Sequence, residues 1–470
     1  MENIKLKEKI GYGLGDAASS MFWKLFGVYL LFYYTDVVGL PAAAIGTMFL
    51  ITRIWDTFLD PIVGLMADRT DTRWGKFRPY ILWMAVPFGL CGILTFSVPE
   101  LNQTQGLIYA YVTYTLMMMV YSFINVPYAS LLGVISADPK VRTELSSYRM
   151  VFAFAGSILV LFLIEPLVAF FGKIKGDGIL VDQALGWQMA LVFFAAIATF
   201  FFLCTFAWTK ERIRPMKEES NRFKDDLMDL VCNKPWWILL GAGVAALVFN
   251  SMRDGSTIFY FKYYVKDVEA FKFGFIDASV SLTSIYLVLG QAANIIGILF
   301  VTPVANKIGR KKTYFVAMVL ASIFSVVFYF IDANNILLVM ALQVLISICA
   351  GSIFPLLWAM YADIADFSEW KTGRRATGLI FSSSSMSQKL GWTIGGALTG
   401  WLLAYFGFKS NVQQTEMAQN GIRMMMSFFP AIGALLSAVF ISLYSLSEVK
   451  LEGITRELNE KRNQIIKDAQ

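Results

Sequence analysis

The chain has 470 residues, enough for several soluble domains, but its composition excludes an ordinary soluble protein. Apolar residues make up 57% of it and charged residues 16%, whereas soluble domains have about 45–50% and about 25%. It contains no histidine and four widely spaced cysteines, which excludes a Ser-His-Asp triad, most zinc sites and a disulfide framework. The net charge is only +6, with basic residues scattered, so no nucleic-acid partner is indicated. An integral membrane protein without enzymatic activity or cofactor is expected.

Twelve apolar stretches are each long enough, at roughly 20 residues, to cross a bilayer as a helix. They predict an all-α polytopic membrane protein with spans at residues 11–35, 42–66, 80–98, 107–134, 147–171, 187–208, 236–264, 277–303, 313–332, 336–362, 377–406 and 423–446. A long charged segment separates the first six spans from the last six. The sequence therefore predicts a six-helix bundle at 1–208, a linker at 209–235, a second six-helix bundle at 236–447 and a tail at 448–470.

Lys and Arg are concentrated in alternate loops, those after the second, fourth, sixth, eighth and tenth spans. Because basic residues near spans are retained on the inner side, both termini are expected in the cytoplasm. The first ten residues lack a small-residue cleavage pattern, so the first span is interpreted as an uncleaved helix rather than a signal peptide. The linker and the tail each place apolar residues at helical spacing among charges, which fits a helix on the membrane surface or a solvated tether.

The two halves resemble each other at matching places. The first span ends in Tyr33-Tyr34-Thr35-Asp36 and the seventh in Tyr263-Tyr264-Val265-Lys266, and the fourth and tenth spans each carry a proline, Pro127 and Pro355. Duplicated six-helix bundles that rock about a midplane site are typical of secondary transporters.

Some charged residues are candidates for gating. Those near the inner ends of the spans could form salt-bridge latches, although positive charges there could equally serve only to fix the topology. The gating candidates are Arg53, Asp68, Arg69, Lys76, Arg142, Asp363 and Arg375.

The second span contains three ionisable residues, which are costly inside a bilayer and need a reason. Asp56 and Asp60 are four residues apart and share one helical face, with Arg53 one turn before them. Two close carboxylates resist being ionised together, so a proton or a metal cation is expected between them. This pattern predicts a coupling-ion site, and the alternative is a purely structural Arg-Asp pair.

Other spans combine hydroxyl, amide, charged and aromatic side chains. Such a lining suits a polyhydroxylated solute, because polar groups bind hydroxyl pairs and a ring face packs on the C–H surface. A sugar is therefore the expected substrate, although single serines in membrane helices often serve only helix packing. The candidate substrate-binding residues from this pattern are Asp16, Ser20, Trp23, Tyr121, Asn125, Arg149, Ser385, Gln388 and Lys389.

Several motifs resemble the glycoside-pentoside-hexuronide:cation symporters of the major facilitator superfamily, of which the melibiose carrier is the best-known member. They are Arg53-Ile54-Trp55-Asp56 with Asp60-Pro61, the loop from Asp68-Arg69 to Lys76-Phe77-Arg78-Pro79, and Ala362-Asp363 through Gln388-Lys389. The resemblance implies that Asp56 and Asp60 bind the cation and that the sugar lies between the two bundles. It also places Arg149, Phe354 and Lys389 near the sugar.

The departures from the melibiose carrier bear on specificity. Ser20 and Asn125 stand where that carrier has sugar-binding Asp residues, so melibiose is a doubtful substrate and Asp16 is the candidate replacement carboxylate. Leu59 stands where the carrier has an Asn, and Ser122, the third cation-site candidate, replaces a Thr. Losing an amide oxygen weakens a sodium site but leaves a carboxylate pair that can be protonated. A proton is therefore favoured over sodium as the coupling ion.

The expected function is cation-coupled import of a glycoside, pentoside or hexuronide by alternating access. The expected location is a bacterial inner membrane, with the carrier a monomer in contact with lipid. Two alternatives stay open at this point: a membrane solute sensor that binds without transporting, and a carrier of amphiphilic lipids on the same fold. A sensor would need an added cytoplasmic domain, and the tail after Ser447 is too short for one.

Overall fold

The structure is a computed structural model. It describes residues 4–136, 139–173, 182–212, 228, 230–266, 269–272, 279–372, 377–446, 450–454, 456–458 and 460. Nearly all of these residues are helical, so the predicted all-α class is confirmed. Most of the predicted linker, including residues 213–227, and the end of the tail lie outside the described residues.

Six long helices make up the N-terminal half. The first, α1, is α-helical over Leu6–Lys24 and continues through π-helical turns at Leu25–Tyr29 and Tyr33–Val37, with Leu30–Phe32 between them. Side-chain oxygens cap two of the others, since Asn102 accepts from the Gln105 N–H and Asp182 from the Leu185 N–H. The remaining helices are α2 (Ala42–Arg69), α3 (Arg78–Thr95), α4 (Gln103–Ile135), α5 (Pro139–Gly172) and α6 (Gln183–Trp208).

The C-terminal half repeats this pattern. Its first helix, α7 (Lys234–Phe259), also ends in a π-helical turn, at Tyr260–Val265. A short antiparallel pair, β1 (Glu269–Lys272) and β2 (Ser279–Ser281), follows α7. The remaining helices are α8 (Leu282–Ile308), α9 (Arg310–Tyr329), α10 (Ile336–Thr372), α11 (Thr377–Tyr405) and α12 (Glu416–Ser442), which is interrupted at Ser427.

Ten of these helices are long and apolar enough to cross a membrane. The other two predicted spans, α1 and α11, are also helical along the membrane-length segments that the sequence predicts. The structure is therefore consistent with twelve spans.

The described chain forms two compact units. The first contains residues 1–217, 254–291 and 396–422, and the second contains residues 218–253, 292–395 and 423–470. The first unit thus joins the N-terminal half to the ends of α7 and α11, which are segments of the C-terminal half. The predicted domain boundaries follow the sequence halves and stay a prediction.

Within the first unit, α1 packs against α5 and α6, and α2 packs against α4. The exposed residues of α2 before Arg69 are all apolar, as expected of a surface that meets lipid, and include Ile51, Ile54, Trp55, Phe58, Ile62 and Leu65. Within the second unit, α9 packs against α10 and α12, and the Tyr314 hydroxyl lies 2.9 Å from the Ser437 hydroxyl.

Candidate cation and sugar site

Helix α1 is buried on most of its circumference and leaves one polar stripe half-exposed. Asp16, Ser20, Trp23 and Lys24 form this stripe, and their spacing of three to four residues places them on one face. Helix α1 packs against α5 and α6 on its other sides. The stripe contains three of the predicted substrate-binding residues, Asp16, Ser20 and Trp23.

Two predicted substrate-binding residues form an ion pair across the first unit. The Arg149 Nε of α5 lies 3.0 Å from the Asp16 Oδ2 of α1, and its Nη2 lies 3.4 Å from the other carboxylate oxygen. The Arg149 guanidinium also lies 5.3 Å from the centre of the Tyr128 ring, whose hydroxyl donates to the Tyr12 carbonyl at 2.6 Å. The ion pair is therefore held in place by α4 while part of it stays accessible.

The predicted cation-site residues are brought together by α2 and α4. The Ser122 Oγ lies 2.7 Å from the Asp60 Oδ1 and is hydrogen-bonded to the Asp56 carboxylate. The Asp56 side chain is fully buried, whereas Asp60 is half-exposed. A hydroxyl therefore lies between two carboxylates inside a membrane helix pair, so the structure brings the three residues together, and their binding of a cation stays a prediction.

Arg53, a predicted gating residue, lies beside this site and not at a loop. It is buried, one turn before Asp56, and its guanidinium lies 4.2 Å from the centre of the Trp23 ring. Trp23 in turn lies 5.8 Å, centre to centre, from the Tyr121 ring of α4. Arg53 therefore connects the cation-site helix to the polar stripe of α1.

The remaining substrate-binding candidates divide between the units. Asn125 is half-exposed on α4 in the first unit. Phe354, Gln388 and Lys389 are half-exposed in the second unit, where the Lys389 carbonyl accepts from Thr393 at 2.6 Å. The side chain of Ser385 lies outside the described part of the structure.

Several gating candidates have local contacts. Arg142 caps α4 by donating to the Ser136 and Gly133 carbonyls at 2.6 and 3.1 Å, and Asp363 on α10 pairs with Arg310 of α9 at 2.7 Å. The Lys76 backbone N–H donates to Glu211 at 2.8 Å. Arg69 is exposed, while the Asp68 side chain and Arg375 are outside the described residues. A gating role for these residues stays a prediction.

Glu211 is a residue that the sequence analysis missed. Its carboxylate accepts from three consecutive backbone N–H groups of the loop between α2 and α3, each at 2.8 Å. Gly75 precedes them with φ +110°, and a Cβ there would lie 2.4 Å from the Glu211 carboxyl. The loop motif that resembled the family is thus folded around this carboxylate.

A polar cluster at the ends of α1 and α7 was also missed. The Asp36 carboxylate accepts from Lys262 Nζ at 2.8 Å and from the Tyr263 hydroxyl, and the Asn411 amide donates to the Asp36 carbonyl at 2.6 Å. We call Asp36, Lys262, Tyr263 and Asn411 the outer cluster, because the predicted topology places it on the extracellular side. It joins residues of both sequence halves within the first unit.

Two further cross-half contacts lie in the same unit. Lys24 on α1 pairs with Asp254 on α7 at 2.6 Å, and Ser281 at the end of β2 donates to Glu165 on α5. The signal that could have found Asp254 and Glu165 is the one applied to the second span, an acid inside an apolar stretch. Their partners, however, depend on tertiary packing.

A helical membrane protein with duplicated halves, a buried carboxylate pair and a half-exposed polar stripe belongs to the class of secondary transporters. Residues 11–448 match the family described as MFS/sugar transport protein, and the chain belongs to this family. It is an integral membrane protein, a cation-coupled sugar symporter, and not an enzyme.

Similar proteins cover nearly the whole chain. The inner membrane symporter YicJ of Escherichia coli (strain K12) is 34% identical, and the match covers 97% of this chain and 95% of that protein. The isoprimeverose transporter of Lactiplantibacillus pentosus is 34% identical, with 95% and 90% covered. A bacterial homologue of the human lysosomal transporter Spinster, solved in an inward-facing state, shares the fold with a TM-score of 0.68 at 13% identity and covers 93% of this chain and 95% of its own.

Proposed function

We propose that the chain imports a glycoside together with a proton across a bacterial inner membrane, with both termini in the cytoplasm. A relative named as an isoprimeverose transporter and one named as an inner membrane symporter support the substrate class and the location. The distribution of Lys and Arg between alternate loops supports the orientation.

The observation that carries proton coupling is the position of the Ser122 hydroxyl between two carboxylates. A hydroxyl has one proton to donate, so it cannot donate to Asp56 and Asp60 at once. If both acids were ionised, one carboxylate would face an oxygen lone pair at hydrogen-bonding distance. A single proton shared by the acid pair turns both contacts into hydrogen bonds.

The composition of the site also favours a proton over sodium. A hard cation is bound by several oxygen ligands together. Leu59, on the same helix between the two acids, is buried and offers no oxygen. Protonation of a carboxylate needs no further ligand.

Arg53 provides a physical link between the proton site and the sugar site. It lies one turn from Asp56 on α2 and stacks on Trp23 of the polar stripe. A proton that binds or leaves the acid pair changes the charge facing this buried guanidinium, and its contact with Trp23 transmits the change to α1. We propose that this contact couples the two ligands.

The sugar is proposed to bind at the polar stripe. Asp16 and Arg149 supply acceptor and donor groups, Ser20 and Asn125 supply a hydroxyl and an amide, and Trp23 supplies an aromatic edge or face. Phe354, Gln388 and Lys389 lie in the second unit, and a role for them in binding stays a prediction from the sequence. Because an ionised acid pair is costly to occlude, transport occurs when the proton and the sugar are both bound.

The test uses proteoliposomes that contain the purified protein, with a pH-sensitive dye inside and a panel of glycosides added outside. We expect sugar-dependent acidification of the lumen that does not require sodium. The Asp60→Asn variant should lose uptake against a gradient, because it removes the proton acceptor. Glu100→Gln, which changes an exposed loop acid, is the matched control and should transport normally.

Three results would contradict parts of this proposal. Accumulation by Asp60→Asn equal to that of the unmodified protein would remove the acid pair from the mechanism. Uptake that requires sodium, with no movement of protons, would reject proton coupling while leaving sugar symport intact. Absence of transport for every glycoside would reject the substrate class.

A further inference from the structure

The ion pair between Lys24 and Asp254 is not part of the proton site or of the Asp16–Arg149 pair. Lys24 Nζ lies 2.6 Å from Asp254 Oδ2, and their side chains are 12% and 21% exposed. Both residues lie within helices that carry the chain through the membrane, where charged groups are expensive and mark functional positions. A function for this pair beyond linking two helices is therefore expected.

Lys24 is the last member of the half-exposed stripe on α1. It lies eight residues after Asp16 on a continuous α-helix, so the two Cα atoms are separated by about 12 Å along the axis. Ser20 and Trp23 lie between them on the same side of the helix. The stripe thus has an ion pair at each end, and its length is that of two linked sugar rings.

The polarity of the stripe indicates what it faces. Apart from Arg69 at its end, the exposed residues of α2 are all apolar, as a lipid-facing surface requires. The half-exposed residues at positions 16, 20 and 24 of α1 are instead charged or hydroxyl-bearing. Polar groups in a membrane helix avoid lipid and face a water-filled path or the protein interior, and the partial exposure of the stripe favours the water-filled path.

The chemistry of the Lys24–Asp254 pair suits a sugar hydroxyl. An ammonium group only donates hydrogen bonds and a carboxylate only accepts them, whereas a hydroxyl does both. One hydroxyl can therefore bridge the pair through two charge-assisted hydrogen bonds, which are the strong ones. The Asp16–Arg149 pair offers the same combination at the other end of the stripe.

We infer that Lys24 and Asp254 are specificity-determining residues that bind the second ring of a two-ring glycoside. The first ring lies against Asp16 and Arg149, and Trp23 lies beside the linkage. This inference rests on the proposed function, since it assumes that the imported solute is a glycoside. It adds that the carrier selects its substrate by length.

A purely structural pair would behave differently. If Lys24 and Asp254 only held α1 against α7, removing them would weaken the binding of all substrates to the same extent. A pair that contacts the second ring discriminates between long and short substrates. The ratio of two affinities therefore separates these roles, and an absolute activity does not.

The experiment measures sugar counterflow in proteoliposomes, which requires no ion gradient. The probes are two matched pairs, methyl β-xyloside with xylobiose and methyl α-galactoside with melibiose. The tested variant is Lys24→Met with Asp254→Asn, which removes both charges of the ion pair together. The matched control is Lys9→Met with Glu144→Gln, another Lys-carboxylate pair between α1 and α5 that lies away from the stripe.

We expect the unmodified protein to prefer the two-ring member of the pair that it accepts. In the double variant the affinity for that member should fall about tenfold or more, because both charge-assisted hydrogen bonds to its hydroxyl are lost or weakened, while the affinity for the one-ring member changes much less. The control variant should keep the original ratio. Counterflow needs no proton gradient and all variants keep the same acid pair, so the ratio of affinities stands even if the coupling ion has been assigned wrongly.

Each other result overturns the inference. A parallel fall in both affinities shows that the pair is structural, and two unchanged affinities show that it does not touch substrate. An unmodified protein that accepts only one-ring glycosides rejects the length rule while leaving glycoside import standing. If neither the four probes nor any other glycoside of the panel gives counterflow, the proposed substrate class is rejected, and the inference with it.

Discussion

The outer cluster predicts how a single substitution changes the conformational equilibrium of the transporter. Asp36 joins the end of α1 to the end of α7, and its side chain is fully buried in the ion pair with Lys262. The change Asp36→Asn keeps the size of the side chain and removes its charge. We expect it to weaken the state in which these helix ends are joined, and so to open the predicted extracellular side more often.

The size of the effect follows from the contacts. Asp36 accepts from Lys262 at 2.8 Å, from Thr35 at 2.8 Å and from Tyr263. Hydrogen bonds to a charged group contribute about 1.5–3 kcal/mol each, but Lys262 is 32% exposed, which screens its share. An amide retains one acceptor oxygen, so we take a net loss of about 1.5–3 kcal/mol, which shifts the equilibrium by about 10-fold to 150-fold.

The assay is labelling of a cysteine placed at Ser20, on the polar stripe, by a membrane-impermeant maleimide added outside intact cells. The labelling rate should rise with Asp36→Asn, and to a similar extent with Lys262→Met, which removes the same ion pair. The double variant should label no faster than either single variant, because both remove one interaction. Unchanged labelling in both single variants would refute the role of the outer cluster as a gate.

Two further substitutions follow from close contacts. A Cβ at Gly400 would lie 2.6 Å from the Ala42 carbonyl and 2.9 Å from the Gly46 Cα, so Gly400→Val should separate α2 from α11. We expect the turnover of sugar uptake to fall about tenfold or more, which corresponds to an activation barrier raised by about 1.4 kcal/mol. The control is Gly133→Ala, where nothing lies within 4 Å of the added atom, and equal uptake rates for both variants would contradict the reasoning. Glu211→Gln weakens three hydrogen bonds from backbone N–H groups and should lower the free energy of unfolding by about 1–2 kcal/mol. The measurement is the Tm of the purified protein in detergent, which should fall. A Tm equal to that of the original chain would show that the loop does not depend on the charge of Glu211.

The sequence predicted the membrane fold well because bilayer thickness fixes the length of each apolar stretch. The pairing of Asp56 with Asp60 could also be predicted from the sequence, since helical periodicity alone places residues four apart on one face. Ser122 was assigned to the cation site only through the resemblance to a family, because it lies on another helix and a hydroxyl in an apolar span is common. Arg149 was a candidate on its chemistry, but its partner Asp16 is 133 residues away.

The residues that were missed share a physical reason. An acid in an apolar stretch is visible in the sequence, and Asp254 and Glu165 are both of this kind. The partner of each acid depends on which helix faces it, and helix packing cannot be read from local periodicity. Asp36 was seen only as part of a repeated motif, since its role depends on the contact of α1 with α7.

The π-helical turns at the ends of α1 and α7 have a consequence for this contact. A π turn closes its hydrogen bonds one residue later than an α turn, so it changes the rotational phase of the side chains within and after it by up to about 100°. Asp36 lies in one such turn, and Lys262 and Tyr263 lie in the other. The meeting of these side chains therefore depends on backbone winding as well as on residue identity. Rewinding either end into α geometry would disengage the two halves without moving a helix as a rigid body.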